Sequence, residues 1–193
     1  MIKKLALATA MLCVCNLALA QESSSSSDKG APKWGYVEAG YIDFSPDEAL
    51  SQDGWYAGAS FGFLKMLHVF AEYDDVGDYT FWNAGVGWHG LFGEPGDLFA
   101  QVQWNDVSVD SSSGNVDDDG YEIGAGVRWK LLKWLEVKGE VDWAGYSDAG
   151  DDFTYQAGVL FTFLGDKLGA GANYEFTDDA DTLKVFARWN FGR

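Results

Sequence analysis

The chain ends in "LKVFARWNFGR", residues 183–193. Leu183, Val185, Ala187, Trp189 and Phe191 fall on one parity, and Lys184, Arg188 and Asn190 on the other, with only Phe186 interrupting. Successive side chains of a β-strand point to opposite faces, so this stretch reads as a strand with one apolar and one polar face. A soluble sandwich and a membrane barrel both use such a strand. Where the rings lie along all the strands separates the two.

Upstream, the same alternation recurs in segments of about ten residues, separated by Gly, Asp and Ser clusters. They are 34–44, 54–63, 68–74, 80–89, 98–106, 120–130, 135–143, 152–163, 168–176 and 182–191. No helical period of useful length is present, nor an apolar run long enough for a membrane helix. If the strands run alternately up and down, the ends beside the Asp-rich connections carry Tyr41, Trp55, Trp82, Trp104 and Trp143. The opposite ends carry Phe63, Trp88, Trp129, Phe163 and Trp189. Alanine and valine fill the middle. A soluble core would bury its largest rings at mid-strand, where burial of area gives most. Two aromatic girdles around an aliphatic band are what a bilayer selects. The expected fold is therefore all-β, an antiparallel up-and-down transmembrane β-barrel of about ten strands, with eight as the alternative, and closure removes the strand edges that hydrocarbon cannot satisfy.

Residues 1–20, "MIKKLALATAMLCVCNLALA", have the layout of a cleaved signal peptide: two lysines, a short apolar run and small residues before Gln21. Residues 21–33 read as a flexible periplasmic leader and 34–191 as the outer-membrane barrel. Cys13 and Cys15 would leave with the signal, taking thiol chemistry and disulfides with them. The full chain has 13 basic and 30 acidic residues; without Lys3 and Lys4 the balance is 11 − 30 = −19. That charge argues against nucleic acid as a partner, since phosphate needs a basic face.

The inward parity carries Glu38, Glu72, Glu122, Arg128, Lys130, Glu136, Lys138, Glu140, Asp142, Glu175, Lys184 and Arg188. Charges taken out of water need partners, so a mixed-sign network plugging the lumen is expected, with Glu136 in reach of Arg128 or Lys130. A solute path is the rival. The inward glycines either leave space or admit large neighbours such as Tyr36, Tyr56 and Phe81. His68 and His89 fall at the short-turn ends of their strands, away from the loops where a hydrolase of this kind would place a paired acid/base group, so no enzyme, catalytic residue or cofactor is expected. Aspartates crowd the other connections, among them Asp47, Asp74, Asp75, Asp78, Asp148, Asp151 and Asp178. Within these, Asp117, Asp118 and Asp119 are the candidate for weak divalent-cation binding, although the spacing is not that of an EF-hand.

"WGYVEAGY", "DGWYAGASFGF" and "DGYEIGAGVRW" resemble strands of the small porin-like bacterial outer-membrane barrels, the class that includes OmpX, the opacity proteins and the transmembrane domain of OmpA. Trp189 and Phe191 resemble that class's C-terminal assembly signal, except that Gly192 and Arg193 follow the aromatic. The resemblance implies an outer-membrane location with periplasmic termini. It also implies outer-membrane lipid and lipopolysaccharide as surroundings, and the barrel-assembly machinery as a partner of the C-terminal strand. A monomer with a structural role in the envelope is the expectation; the alternatives are a narrow cation-preferring channel and a surface adhesion or interaction protein acting through its loops.

Overall fold

The computed structural model describes residues 30–46, 50–90, 95–110, 116–147 and 150–191. Ten strands follow one another: β1 Tyr36–Pro46, β2 Gln52–Leu64, β3 Leu67–Val76, β4 Tyr79–Gly90, β5 Gly96–Val109, β6 Val116–Leu132, β7 Leu135–Tyr146, β8 Gly150–Phe163, β9 Leu168–Phe176 and β10 Ala180–Asn190. Each pairs antiparallel with its chain neighbours, and β1 closes on β10 from Tyr36↔Asn190 to Pro46↔Ala180. The fold is a ten-stranded up-and-down barrel, which sets the alternative of eight aside. The segment at 68–74 is a full strand, β3, paired on both sides.

Closure puts Gly35, before β1, and Phe191, after β10, at one rim, where Phe191 N–H donates to the Gly35 carbonyl at 2.9 Å. The same rim holds the short turn at Lys65–Met66 and the turn at Lys133–Trp134. The opposite rim holds the Asp-rich connections.

Alternation then fixes what faces out. Val102 is 46% exposed, Ile123 53% and Val185 48%. Their strand neighbours on the other parity, such as Glu140, Lys184 and Arg188, are buried. Rings cluster at the rims of this apolar outer face: Trp55 against Tyr73 (5.4 Å between centroids), Tyr121 against Trp143 (5.5 Å) and Trp189 against Phe191 (5.8 Å). A surface of this kind has no cost in hydrocarbon and a large one in water.

One girdle residue departs from expectation. Trp129 is buried, because its ring lies over the backbone of its register partner Gly96, where a Cβ would sit 2.4 Å from Trp129 Cε3. At some of the inward glycines a large ring takes the space. At Gly126 a Cβ would meet Phe99 Cζ at 2.5 Å, and at Gly171 it would meet Phe186 Cζ at 2.7 Å. Glycine is there to let a ring cross the wall.

The strands also run further than the sequence suggests. Val116–Asp119 belongs to β6 and pairs with Asp106–Val109 of β5. Aspartates favour turns, but here the hairpin pairing continues through them.

Candidate functional site

The lumen holds a cavity of about 300 Å³, and Glu38, Glu72, Glu122, Arg128, Lys138 and Lys184 are among the inward charges that line it. Two clusters tie that wall across its closure. Arg188 on β10 meets Glu38 on β1 through Nη2 and Nε, both at 2.6 Å from Oε2. Lys184, also on β10, reaches across to β3, with Nζ 2.6 Å from Glu72 Oε1 and 2.9 Å from Asp74 Oδ2; Glu175 Oε1 on β9 is 3.7 Å away. Asp74 was expected in a loop. It is buried on β3 because it shares the inward parity of Glu72.

On the far wall Arg128 pairs with Glu136 at 2.6 Å and Lys138 with Glu140 at 2.5 Å. Among the described residues Glu122 has no cation within ion-pair reach: Gln103 Nε2 (3.0 Å) and Asn105 Nδ2 (3.1 Å) donate to it. Gln156 donates to Glu175 and accepts from Lys138. Lys130 turns away from the lumen to Asp166, 2.5 Å off.

That last pair depends on an unusual turn. Leu164, Gly165 and Asp166 have φ of 52°, 69° and 64°, a left-handed run that is uncommon for a leucine and tolerated by aspartate. It carries the Asp166 carboxylate to Lys130 and to the Thr162 hydroxyl, which donates at 2.7 Å. Burial alone would raise the Asp166 carboxyl, but the lysine and hydroxyl donors and the lysine's charge outweigh burial and hold it below the usual aspartate value. A carboxyl depressed on folding stabilises the fold above its unfolded value, and that contribution is lost as pH falls through the folded one. Acidification below about pH 4 should therefore destabilise the native chain more than the Asp166→Asn variant, as measured by urea midpoints in lipid vesicles across a pH series.

At the rim that holds Gly35 and Phe191, Trp34 enters the barrel. Its indole stacks on His68 (4.3 Å) and His89 (4.5 Å). The two imidazoles are 5.4 Å apart, far less than the sum of those distances, so they lie side by side over one face of the indole. Trp34 Nε1 donates to Asp97 Oδ2 at 2.9 Å, the Arg128 guanidinium lies 4.6 Å from the ring, and Phe99 packs edge-on at 5.4 Å. The Trp34 carbonyl accepts from Ser60 Oγ (2.8 Å) and the Lys33 carbonyl from Arg128 (3.0 Å). Residues 30–33, the described part of the leader, thus include a carbonyl tied to the barrel wall, and Pro32 is buried; the rest of the leader and the signal lie outside the described residues.

Sequence reading missed Trp34, His68, Asp74 and Asp97 as lumen residues. The signal was available, since each sits on its strand's inward parity. Asp117, Asp118 and Asp119 are not brought together: they alternate along β6, Asp117 accepts from the Ser108 hydroxyl, and Asp118 accepts from the Asp119 N–H at 2.9 Å. Among the described residues no group of three His, Cys, Asp or Glu is placed to hold a metal ion.

No family model matches the chain, and no curated protein matches it. Among solved structures it is similar to the KdgM porin, at 9% identity and a TM-score of 0.48 over 81% of this chain and 99% of that one. It is similar to the N-terminal β-barrel domain of Pseudomonas aeruginosa OprF, at 13% identity and 0.42 over 82% and 100%. Ail, the attachment invasion locus protein of Yersinia pestis, aligns at 12% identity and 0.41 over 81% and 99%. At such identities and scores the likeness says nothing of what this chain does, and what the chain itself shows is a closed, lipid-compatible β-barrel.

Proposed function

We propose that the protein is a monomeric, non-enzymatic barrel of the bacterial outer membrane with a structural role in the envelope, its termini periplasmic and its lumen shut at that end. The observation that carries this is Trp34, buried between the His68–His89 pair, Asp97, Phe99 and Arg128 at the rim that holds Gly35 and Phe191. A large ring with a bonded N–H and a cation over its face is an effective stopper. The apolar outer face supplies the contact with lipid and lipopolysaccharide, and exposed Trp189 and Phe191 on the last strand supply the contact with the assembly machinery.

A narrow cation-preferring channel is the second reading, favoured by the cavity of about 300 Å³ and by a lining with more carboxylates than cations. Planar-bilayer recording separates the two. Under the first reading the native protein shows no stable conductance steps. Trp34→Ala should then produce steps whose reversal potential under a salt gradient has the cation-selective sign, because the exposed path is acid-rich. Steady conductance by the native protein would replace the first reading with the second, and anion selectivity in either protein would contradict both.

A further inference from the structure

The lumen has a second feature, on the wall made by β5, β6 and β7, that neither the floor nor the ion pairs absorb. Glu122, Glu140 and Asp142 project from adjacent strands into the cavity. Glu122 is satisfied by two amides, and Glu140 by Gln101 Nε2 at 2.6 Å and by Lys138. Asp142 is 4% exposed, and its Oδ1 has no hydrogen-bond partner. Asn105, 6% exposed, points its NH₂ at Glu122 and leaves its own Oδ1 without a partner. The wall therefore presents three carboxylates against the single ammonium of Lys138, and two buried acceptors that no donor among the described residues meets. Lys184, the other lumen ammonium, is engaged by Glu72 and Asp74.

Buried acceptors without donors are costly, and a ligand that brings N–H groups and positive charge removes that cost. A bare metal ion is the wrong ligand, since no three acidic or histidine side chains among the described residues are close enough to share one. Ammonium and guanidinium groups carry their donors on a spread of hydrogens, and so meet several acceptors at once. Gly124 lets the carboxylates crowd together: a Cβ there would sit 1.8 Å from Asp142 Oδ1 and 3.2 Å from Glu140 Oε1. The cavity, about 300 Å³, is at the small end of ligand sites, and Val107, Tyr146 and Thr177 line it near the Asp-rich rim.

We infer that Glu122, Glu140, Asp142 and the Asn105 side-chain carbonyl form a binding site for a small aliphatic amine or guanidine, entered from the Asp-rich rim. The site stands whether or not the Trp34 floor opens, so a silent bilayer does not count against it.

The test is calorimetric titration of the refolded barrel in detergent micelles with agmatine, which carries an ammonium and a guanidinium. 1,4-Butanediol serves as the uncharged control and magnesium chloride as the metal arm. One saturable site for agmatine is expected, with no heat from the diol. Asp142→Asn should weaken agmatine binding roughly ten- to a hundred-fold, the loss of a charge-assisted hydrogen bond. Glu122→Gln provides a second variant should the first fail to fold, the folded form of each being verified by its gel mobility without heating. Replacing Asp117, Asp118 and Asp119 together by Asn should leave agmatine affinity within about two-fold, because exposed charges are screened. Absence of agmatine binding, competition by magnesium at equal affinity, or loss of binding in the Asp117–Asp119 triple variant with Asp142→Asn unchanged would each overturn the assignment.

Discussion

Lys184→Met should cost about 3–5 kcal/mol of barrel stability, the range for breaking a buried charge cluster by removing one partner. Lys184 is 4% exposed and is the cation nearest to Glu72 and Asp74, with Glu175 third. Without it the three carboxylates, on β3 and β9, face one another across the lumen with their shared ammonium gone. The cavity admits water, which places the expected value toward the lower end of that range. Replacing Glu72 by Gln in the same molecule should recover part of the loss, because removing both partners is far cheaper than removing one. Urea unfolding in lipid vesicles measures both. A loss below about 1 kcal/mol would mean that the cluster behaves as an exposed surface pair, and that the lumen is far wetter than the buried lysine indicates.

The second large effect concerns the outer face. Ala125 lies at mid-strand on β6, paired with Ala100 and Val141 on the same face. Arginine there is expected to cost about 2–4 kcal/mol, whereas Leu183→Arg, near the Asp-rich rim and paired with Tyr174, should cost about 0–1 kcal/mol. The difference arises because a long side chain near the rim can carry its charge out to water, while one at mid-depth cannot. Equal small costs at both depths would remove the bilayer from the account.

What was legible in the sequence follows from the two-residue period of a strand. That period survives in every segment, so strand number, the outward face and the inward charges could be read before any coordinates. It also contained more than was taken from it: Trp34, His68, Asp74 and Asp97 all sit on inward parity, yet a tryptophan before the first strand and an aspartate near a turn invite other readings. Strand ends were harder. Asp117–Asp119 have the composition of a turn, and only pairing with Asp106–Ser108 shows that the ladder continues. Partners distant in sequence were not legible at all. Lys184 meets Glu72 across 112 residues and Arg188 meets Glu38 across 150, and both contacts depend on the way β10 closes on the rest of the sheet. Lys130 and Asp166 depend on a left-handed turn that no residue preference announces at Leu164.

The central claim is that alternate residues of one strand face lipid and lumen. The most direct measurement places single cysteines at Val102 and Gln103, neighbours on β5 with the first exposed on the outer face and the second bonded to Glu122 inside, in the chain from Gln21 onward, which has no other cysteine. Each is labelled with a small fluorophore before refolding into vesicles containing lipids brominated deep in the acyl chains. The expected result is strong quenching by the bromolipid at position 102 and little at 103, with iodide in the water giving the opposite order. Equal quenching of the two positions by bromolipid, or free access of iodide to position 102, would contradict a membrane-spanning barrel.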